Sequence, residues 1–148
     1  MKIRSIFSVT LLTGLVVSAT LRDVLAQNTQ IIVTGIRSPK GQVIVSIFKD
    51  EKGYEEEKPF KSIPFDKKAL NSGKLVLECS LEPGTYGITL LDDENKNGKM
   101  EKTFIGVPKE GFGFSNFFME KLKKPSFSDF KTNIKSEGNR LEIKVKYL

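Results

Sequence analysis

The segment that runs from Asp93 to Glu101 concentrates the side chains best suited to metal chemistry. Oxygen-bearing side chains stand at alternate positions, at Asp93, Asn95 and Asn97, and Gly98 follows them at once. Ca²⁺ takes several oxygen ligands from a tightly turned loop that has a glycine where the chain bends sharply. The candidate calcium ligands are therefore the three side chains just named, the carbonyl oxygen of Lys99 and the carboxylate of Glu101.

The alternative interpretation of this segment is a turn that satisfies its own polar groups. Asn and Asp favour turns because their side chains hydrogen-bond nearby backbone and tolerate left-handed geometry. An EF-hand carries a bidentate glutamate at its twelfth position, which here is Phe104. The upstream flank also has the pattern of a strand rather than a helix. Both interpretations stay open at the level of sequence.

A glycine-punctuated aromatic stretch follows at residues 106–116. Exposed rings on such a loop would form a binding patch, whereas buried rings would close the open end of the fold, since long ordered loops need apolar anchors. The predicted partner-binding loop comprises Asp92, Glu110, Phe112, Phe114, Ser115 and Asn116.

The composition excludes several classes of catalytic site. The chain has no His and one Cys, so it can build neither a histidine zinc site nor a Ser-His-Asp triad nor an internal disulfide. We expect no catalytic residues. Cys79 alternates with polar neighbours in a predicted strand, so we expect it to be a buried thiol. The alternative is a hydrolase of envelope polymers that pairs Asp93 or Glu101 with Glu110, which would need the two carboxylates to face each other across a cleft.

The elements that must position these residues are β-strands. Apolar residues alternate with polar ones at residues 74–81, 86–91 and 141–147, which is the period of a strand with one buried face. Residues 30–36 and 42–48 are more uniformly apolar, as central strands are. Residues 60–65 and 126–134 are weaker strand candidates. About seven short strands predict an all-β fold, a single antiparallel β-sandwich of immunoglobulin-like or transthyretin-like type.

Turn residues punctuate the strands, and few residues favour a helix. The runs Ser38-Pro39-Lys40-Gly41, Glu82-Pro83-Gly84 and Glu137-Gly138-Asn139 predict hairpin turns. Residues 51–58 and 116–124 are the two segments in which we expect no more than a helical turn.

The amino terminus predicts export. Lys2 and Arg4 precede an apolar run at residues 6–19, and Val24-Leu25-Ala26 fits a cleavage site, with Val17-Ser18-Ala19 as an alternative. We predict a signal peptide at residues 1–26 and one domain at residues 27–148, with no transmembrane span in the mature form. The mature protein would be periplasmic, on the cell surface or secreted. Cleavage after Ala26 would lower the net charge from +6 to +4, which is a mild excess, and we expect no nucleic-acid partner.

Several motifs together resemble the DUF2141 family of exported bacterial proteins. They are the opening at residues 33–43, the Pro83-Gly84-Thr85-Tyr86 turn, the loop at residues 93–98 and the stretch at residues 106–116. The resemblance implies a small β-sandwich with no established activity. Where the family often has His before the loop, this chain has Asp92, which leaves an oxygen-only cation site intact. We expect a non-catalytic binding or structural module whose ligand is a protein or an envelope polymer, with a loop at residues 92–101 that calcium would stabilise.

Overall fold

The fold consists of two facing β-sheets. The structure is a computed structural model, and it describes residues 27–121 and 123–148. These residues form eight strands and two short helices. The strands are β1 (Gln27–Thr34), β2 (Gln42–Phe48), β3 (Lys61–Asp66), β4 (Leu75–Leu81), β5 (Gly84–Asp93), β6 (Gly111–Phe114), β7 (Lys131–Ile134) and β8 (Asn139–Lys144). The helices are α1 (Glu51–Glu55) and α2 (Phe127–Phe130).

The smaller sheet has the order β4-β1-β8, and the larger sheet has the order β3-β2-β5-β6. In the larger sheet β7 pairs with the first half of β5, and β6 pairs with its second half. All of these pairs are antiparallel except β1–β8, which is parallel. The predicted all-β sandwich is confirmed, and β1 and β2 are central strands as expected.

The main hydrophobic core lies between the two sheets. β4 alternates strictly between buried and exposed residues, as a strand that covers a core on one face must. The inward-facing residues predicted from the alternation are all buried in one cluster: Leu77, Cys79, Leu81, Tyr86, Ile88, Leu90, Leu141, Ile143 and Val145. The buried faces of β4, β5 and β8 were therefore predicted correctly.

A second, aromatic cluster covers part of the outer face of the larger sheet. Its buried members are Phe48, Tyr54, Phe112, Phe114, Met119, Phe127 and Phe130. Gly87 makes room for this cluster, because a Cβ atom at that position would lie 2.6 Å from the rings of Phe127 and Phe130. Phe112 and Phe114 are buried, as one of the two interpretations expected, but they pack on the outer face of the larger sheet and not in the open end of the sandwich.

The three predicted hairpin turns are crossovers between the sheets. Residues 38–41 join β1 to β2, residues 82–84 join β4 to β5, and residues 135–138 join β7 to β8; each pair lies in different sheets. The hairpin prediction was wrong because Gly and Pro signal a reversal of the chain but not the strand with which the next segment pairs.

The helical predictions were correct at one segment and misplaced at the other. Residues 51–55 form α1, which Asp50 caps by accepting a hydrogen bond from the Gly53 amide at 2.8 Å. Residues 126–134 were expected to be a strand throughout, but a capping box between Ser126 and Asp129 starts α2 before β7 begins. The described residues of segment 116–124 contain no helix.

The predicted signal peptide, residues 1–26, lies outside the described residues. Within the described part of the chain, no helix is both long enough and apolar enough to cross a membrane.

Candidate functional site

The side chain of Asp93 closes the loop that follows β5. Its Oδ1 accepts a hydrogen bond from the Asn97 amide at 3.0 Å, and its Oδ2 accepts one from the Gly98 amide at 2.9 Å. Oδ2 also accepts from Gln42 Nε2 at 2.7 Å, and Asp93 is fully buried. Both oxygens of this first predicted calcium ligand are therefore already engaged by N–H donors.

The other predicted calcium ligands lie in the same loop and mostly bond to one another. Asn95 Oδ1 accepts from the Asn97 amide at 3.0 Å, and Asn97 Oδ1 accepts from the Lys99 amide at 2.8 Å. Asn97 Nδ2 donates to Glu101 Oε1 at 3.2 Å. In the described residues no group of three or more His, Cys, Asp or Glu side chains is placed to hold a metal ion. This geometry favours the self-satisfied turn, and calcium binding stays a prediction for titration to test.

Glu110 lies beside this loop on the outer face of the larger sheet. It is buried, and its Oε2 accepts a hydrogen bond from the Glu101 amide at 3.3 Å. Its Oε1 has no hydrogen-bond partner among the described residues. Burial, together with the negative charges of Asp93 and Glu101, raises the pKa of the Glu110 carboxyl above its ordinary value.

Most of the predicted partner-binding loop is buried. Of its six residues the structure buries Asp92, Glu110, Phe112, Phe114 and Ser115. Ser115 Oγ donates to the Phe130 carbonyl at 2.7 Å and accepts from the Ile88 amide at 3.1 Å, so it ties β5 to α2. Asn116 alone is exposed, and its Oδ1 accepts from the Glu142 amide at 3.0 Å. Most of these side chains hold the fold together, whereas Phe112 and Phe114 also line the groove described next, and partner binding through this loop stays a prediction.

The larger sheet carries a groove of about 1120 Å³ on its outer face. Its floor consists of side chains from β2, β5 and β6, among them Ile44, Leu91 and Phe112. Residues 98–108 form one wall, and hydrogen bonds such as Thr103 N to Val107 O, at 2.7 Å, hold this wall in a narrow loop. The lining is largely apolar, as in small-molecule sites, and the volume is slightly above the range of about 300–1,000 Å³ that is usual for them.

The charged residues of the groove are mainly basic. Lys99, Lys102 and Lys124 line it, and Glu57 is its one acidic lining residue among those described. Lys102 reaches across to Glu57, with 3.6 Å between Nζ and Oε1. Lys124 lies over the Tyr54 ring, with its Nζ 4.5 Å from the ring centroid. The groove therefore combines an apolar floor with a basic rim.

A separate polar cluster lies inside the sandwich at the end of β5, centred on Asp92. Asp92 and Lys67 are both buried and form an ion pair. The Tyr147 hydroxyl donates to Asp92 Oδ2 and accepts a hydrogen bond from the Arg37 amide at 3.1 Å. Arg37 in turn pairs with Glu94 and stacks on the Tyr147 ring. Sequence reasoning missed Lys67, whose local pattern is that of a surface residue. The alternation at residues 141–147 placed Tyr147 on the buried face of the last strand, but it indicated no role for the Tyr147 hydroxyl.

The comparisons with known proteins agree with the resemblance seen in the sequence. The family model described as an uncharacterized protein conserved in bacteria, DUF2141, matches residues 31–142. The chain belongs to the DUF2141 family. Comparison with curated proteins and with solved structures gave no match. The region matched by the DUF2141 model includes the whole groove wall and the Asp93 loop, whereas Tyr147 and Leu148 lie beyond it.

The position of the carboxylates in this DUF2141 chain bears on the hydrolase alternative. Glu110 is near enough to Asp93 and Glu101 for their charges to raise its pKa, but none of the three carboxylates lines the groove. Two carboxylates that cleave a glycosidic bond must face each other across the space that the substrate occupies. These three carboxylates therefore do not face each other across the groove.

Proposed function

We propose that this protein is an exported, non-catalytic β-sandwich module that binds a fatty-acyl ligand with an anionic head group in the groove on its larger sheet. The observation that carries the proposal is the groove itself, with its volume of about 1120 Å³, its apolar floor and its basic rim.

The floor supports an apolar, elongated ligand. Ile44 and Leu91 are half-buried, although they project from the outer face of a sheet whose other face covers the core. Pro64 of β3 and Val107 of the loop wall extend the apolar lining on two sides. Covering this surface with a hydrocarbon chain removes apolar area from water, at about 25 cal/mol for each Å².

The rim supports an anionic head group. Lys102 already faces Glu57, so a ligand would meet the positive charges of Lys99 and Lys124 first. A carboxylate or phosphate placed near these ammonium groups would gain a favourable interaction that salt screens. The binding of such a ligand would therefore weaken as ionic strength rises.

Binding of sodium laurate, measured by calorimetry, tests the proposal. We expect saturable binding to the full-length protein and weaker binding of dodecanol, which lacks the negative charge. Leu91→Gln places a polar group on the floor and should weaken laurate binding about tenfold, which corresponds to about 1.4 kcal/mol. Val76→Gln changes an exposed apolar residue of the opposite sheet and should leave the affinity unchanged. The proposal fails if the wild type does not bind laurate, or if both variants bind it equally well.

A further inference from the structure

The buried Lys67–Asp92 pair has the arrangement of two groups that can condense. We propose that the Lys67 amine and the Asp92 carboxyl form an intramolecular amide bond that links the segment after β3 to the end of β5. Both side chains are excluded from solvent, with 1% and 0% of their side-chain surfaces exposed. The other described ion pairs of the protein lie at its surface.

The surroundings of Lys67 Nζ orient it toward Asp92. Nζ lies 3.1 Å from the carbonyl oxygen of Ser38 and 2.6 Å from that of Lys40. A neutral amine has two N–H bonds and one lone pair. When the N–H bonds donate to these two carbonyls, the lone pair faces the remaining neighbour, which is Asp92.

The contact between the two groups is not an ordinary hydrogen bond. Asp92 Oδ1 touches Lys67 Nζ, yet among the described residues it accepts no hydrogen bond of normal geometry. A buried carboxylate oxygen without a hydrogen bond is costly. Nζ is therefore in contact with the carboxyl group without being aligned for a hydrogen bond, and the proposed attack on the carboxyl carbon starts from this contact.

Tyr147 completes the arrangement. Its hydroxyl donates to Asp92 Oδ2, and this hydrogen bond withdraws electrons from the carboxyl carbon. The Arg37 amide donates to the same hydroxyl oxygen at 3.1 Å and so holds it in place. Burial and the hydrogen bond to Asp92 raise the pKa of Tyr147 above its ordinary value, so the hydroxyl keeps its proton at neutral pH.

The reaction needs no oxidant, cofactor or second substrate. A proton passes from the Lys67 ammonium to Asp92 Oδ1, which leaves a neutral amine and a carboxylic acid. Nζ then bonds to the carboxyl carbon, a second amine proton moves to Oδ1, and the bond between carbon and Oδ1 breaks to release water. Oδ2 becomes the amide oxygen that Tyr147 still hydrogen-bonds, and the remaining N–H donates to Lys40. A neutral amide replaces two buried charges, whose desolvation is costly.

Mass spectrometry of the purified full-length protein tests the proposal. We expect the measured mass to be one water molecule below the mass calculated from the sequence of the purified chain. We also expect a branched proteolytic peptide that joins the Lys67 and Asp92 segments. Lys67→Arg should restore the full mass. Asp92→Asn should lose ammonia rather than water, because its side chain would release nitrogen when the same amide forms.

Lys58 provides the matched control, since it pairs with Glu56 at 2.9 Å on the surface. Lys58→Arg should keep the loss of water seen in the wild type. The branched peptide separates the amide from cyclisation within the Asn97–Gly98 segment, which would lower the mass without joining two peptides. A wild-type mass equal to the sequence mass, or a mass loss that maps elsewhere, overturns the proposal.

Discussion

Replacement of Asp93 by alanine tests whether hydrogen bonds alone hold the loop after β5. The Asp93 carboxylate accepts three hydrogen bonds, from the Asn97 amide, the Gly98 amide and Gln42 Nε2. Hydrogen bonds to charged groups contribute about 1.5–3 kcal/mol each. Their sum overestimates the loss, because the truncated side chain leaves donors that find other partners.

The structure shows which donors recover a partner. The Asn97 amide keeps its second acceptor, Asn95 Oδ1 at 3.0 Å, and Gly98 is an exposed residue, so water has access to this part of the loop. We therefore expect Asp93→Ala to lower the free energy of unfolding by about 2–4 kcal/mol. Asn95→Ala, the matched control, removes one neutral bond from the same loop and should cost about 0.5–1.5 kcal/mol.

Urea unfolding followed by far-ultraviolet circular dichroism measures both changes, since the chain has no Trp to serve as a fluorescence probe. A loss below about 1 kcal/mol for Asp93→Ala, or equal losses for the two variants, would refute this reasoning.

The same assay separates the turn from the calcium site. If the loop only satisfies its own polar groups, millimolar calcium leaves wild-type stability unchanged, whereas a calcium site at a hundredfold excess over its Kd would add about 2.7 kcal/mol. A calcium-dependent gain that Asp93→Ala abolishes would establish the metal site instead.

Three further predictions concern the core, the buried acid and export. Ile143→Ala should lower the free energy of unfolding by about 2–5 kcal/mol, since Ile143 is fully buried between the sheets, and a loss below about 0.5 kcal/mol would contradict that placement. Glu110→Gln should raise the free energy of unfolding near about pH 7 but not near about pH 3.5, as measured by urea titrations. The pKa of Glu110 is raised in the folded protein, so stability is lost as pH rises and the carboxyl ionises; a gain in stability that does not depend on pH would contradict this. Export should remove the first 19 or 26 residues, and amino-terminal sequencing of exported protein that begins at Met1 would refute the signal peptide.

The strands were predictable because their signal is local. Leu77, Cys79 and Leu81 alternate with exposed neighbours, and this alternation alone specifies which side chains enter the core. The pairing of the strands is not local. The turn at residues 38–41 carries the residues of a hairpin, yet it crosses between sheets because β2 finds its partners in β3 and β5. Nor did any pattern indicate the parallel pairing of β1 with β8.

The groove was partly encoded in the sequence and was overlooked. Ile44 and Leu91 are apolar residues at positions that alternation assigns to the outer face of the larger sheet. On a simple two-sheet sandwich these positions would be polar, since they would face water. Their apolar character indicates that another part of the protein shields this face of the sheet from water. That part is the wall at residues 98–108, which the sequence alone did not identify because long-range packing brings it over the sheet.

The end of β5 shows why one pair of adjacent residues has two roles. Successive side chains of a strand point to opposite faces, so Asp92 enters the sandwich while Asp93 lies on the outer side. Inside, Asp92 joins the segment after β3 to the carboxyl-terminal segment through Lys67 and Tyr147. Outside, Asp93 fixes the start of the loop that becomes the groove wall. The position of the groove wall over the floor therefore depends on the end of β5, which contacts on both faces of the sheet hold in place. Both carboxylates are engaged in these contacts, so neither is free to act on a ligand.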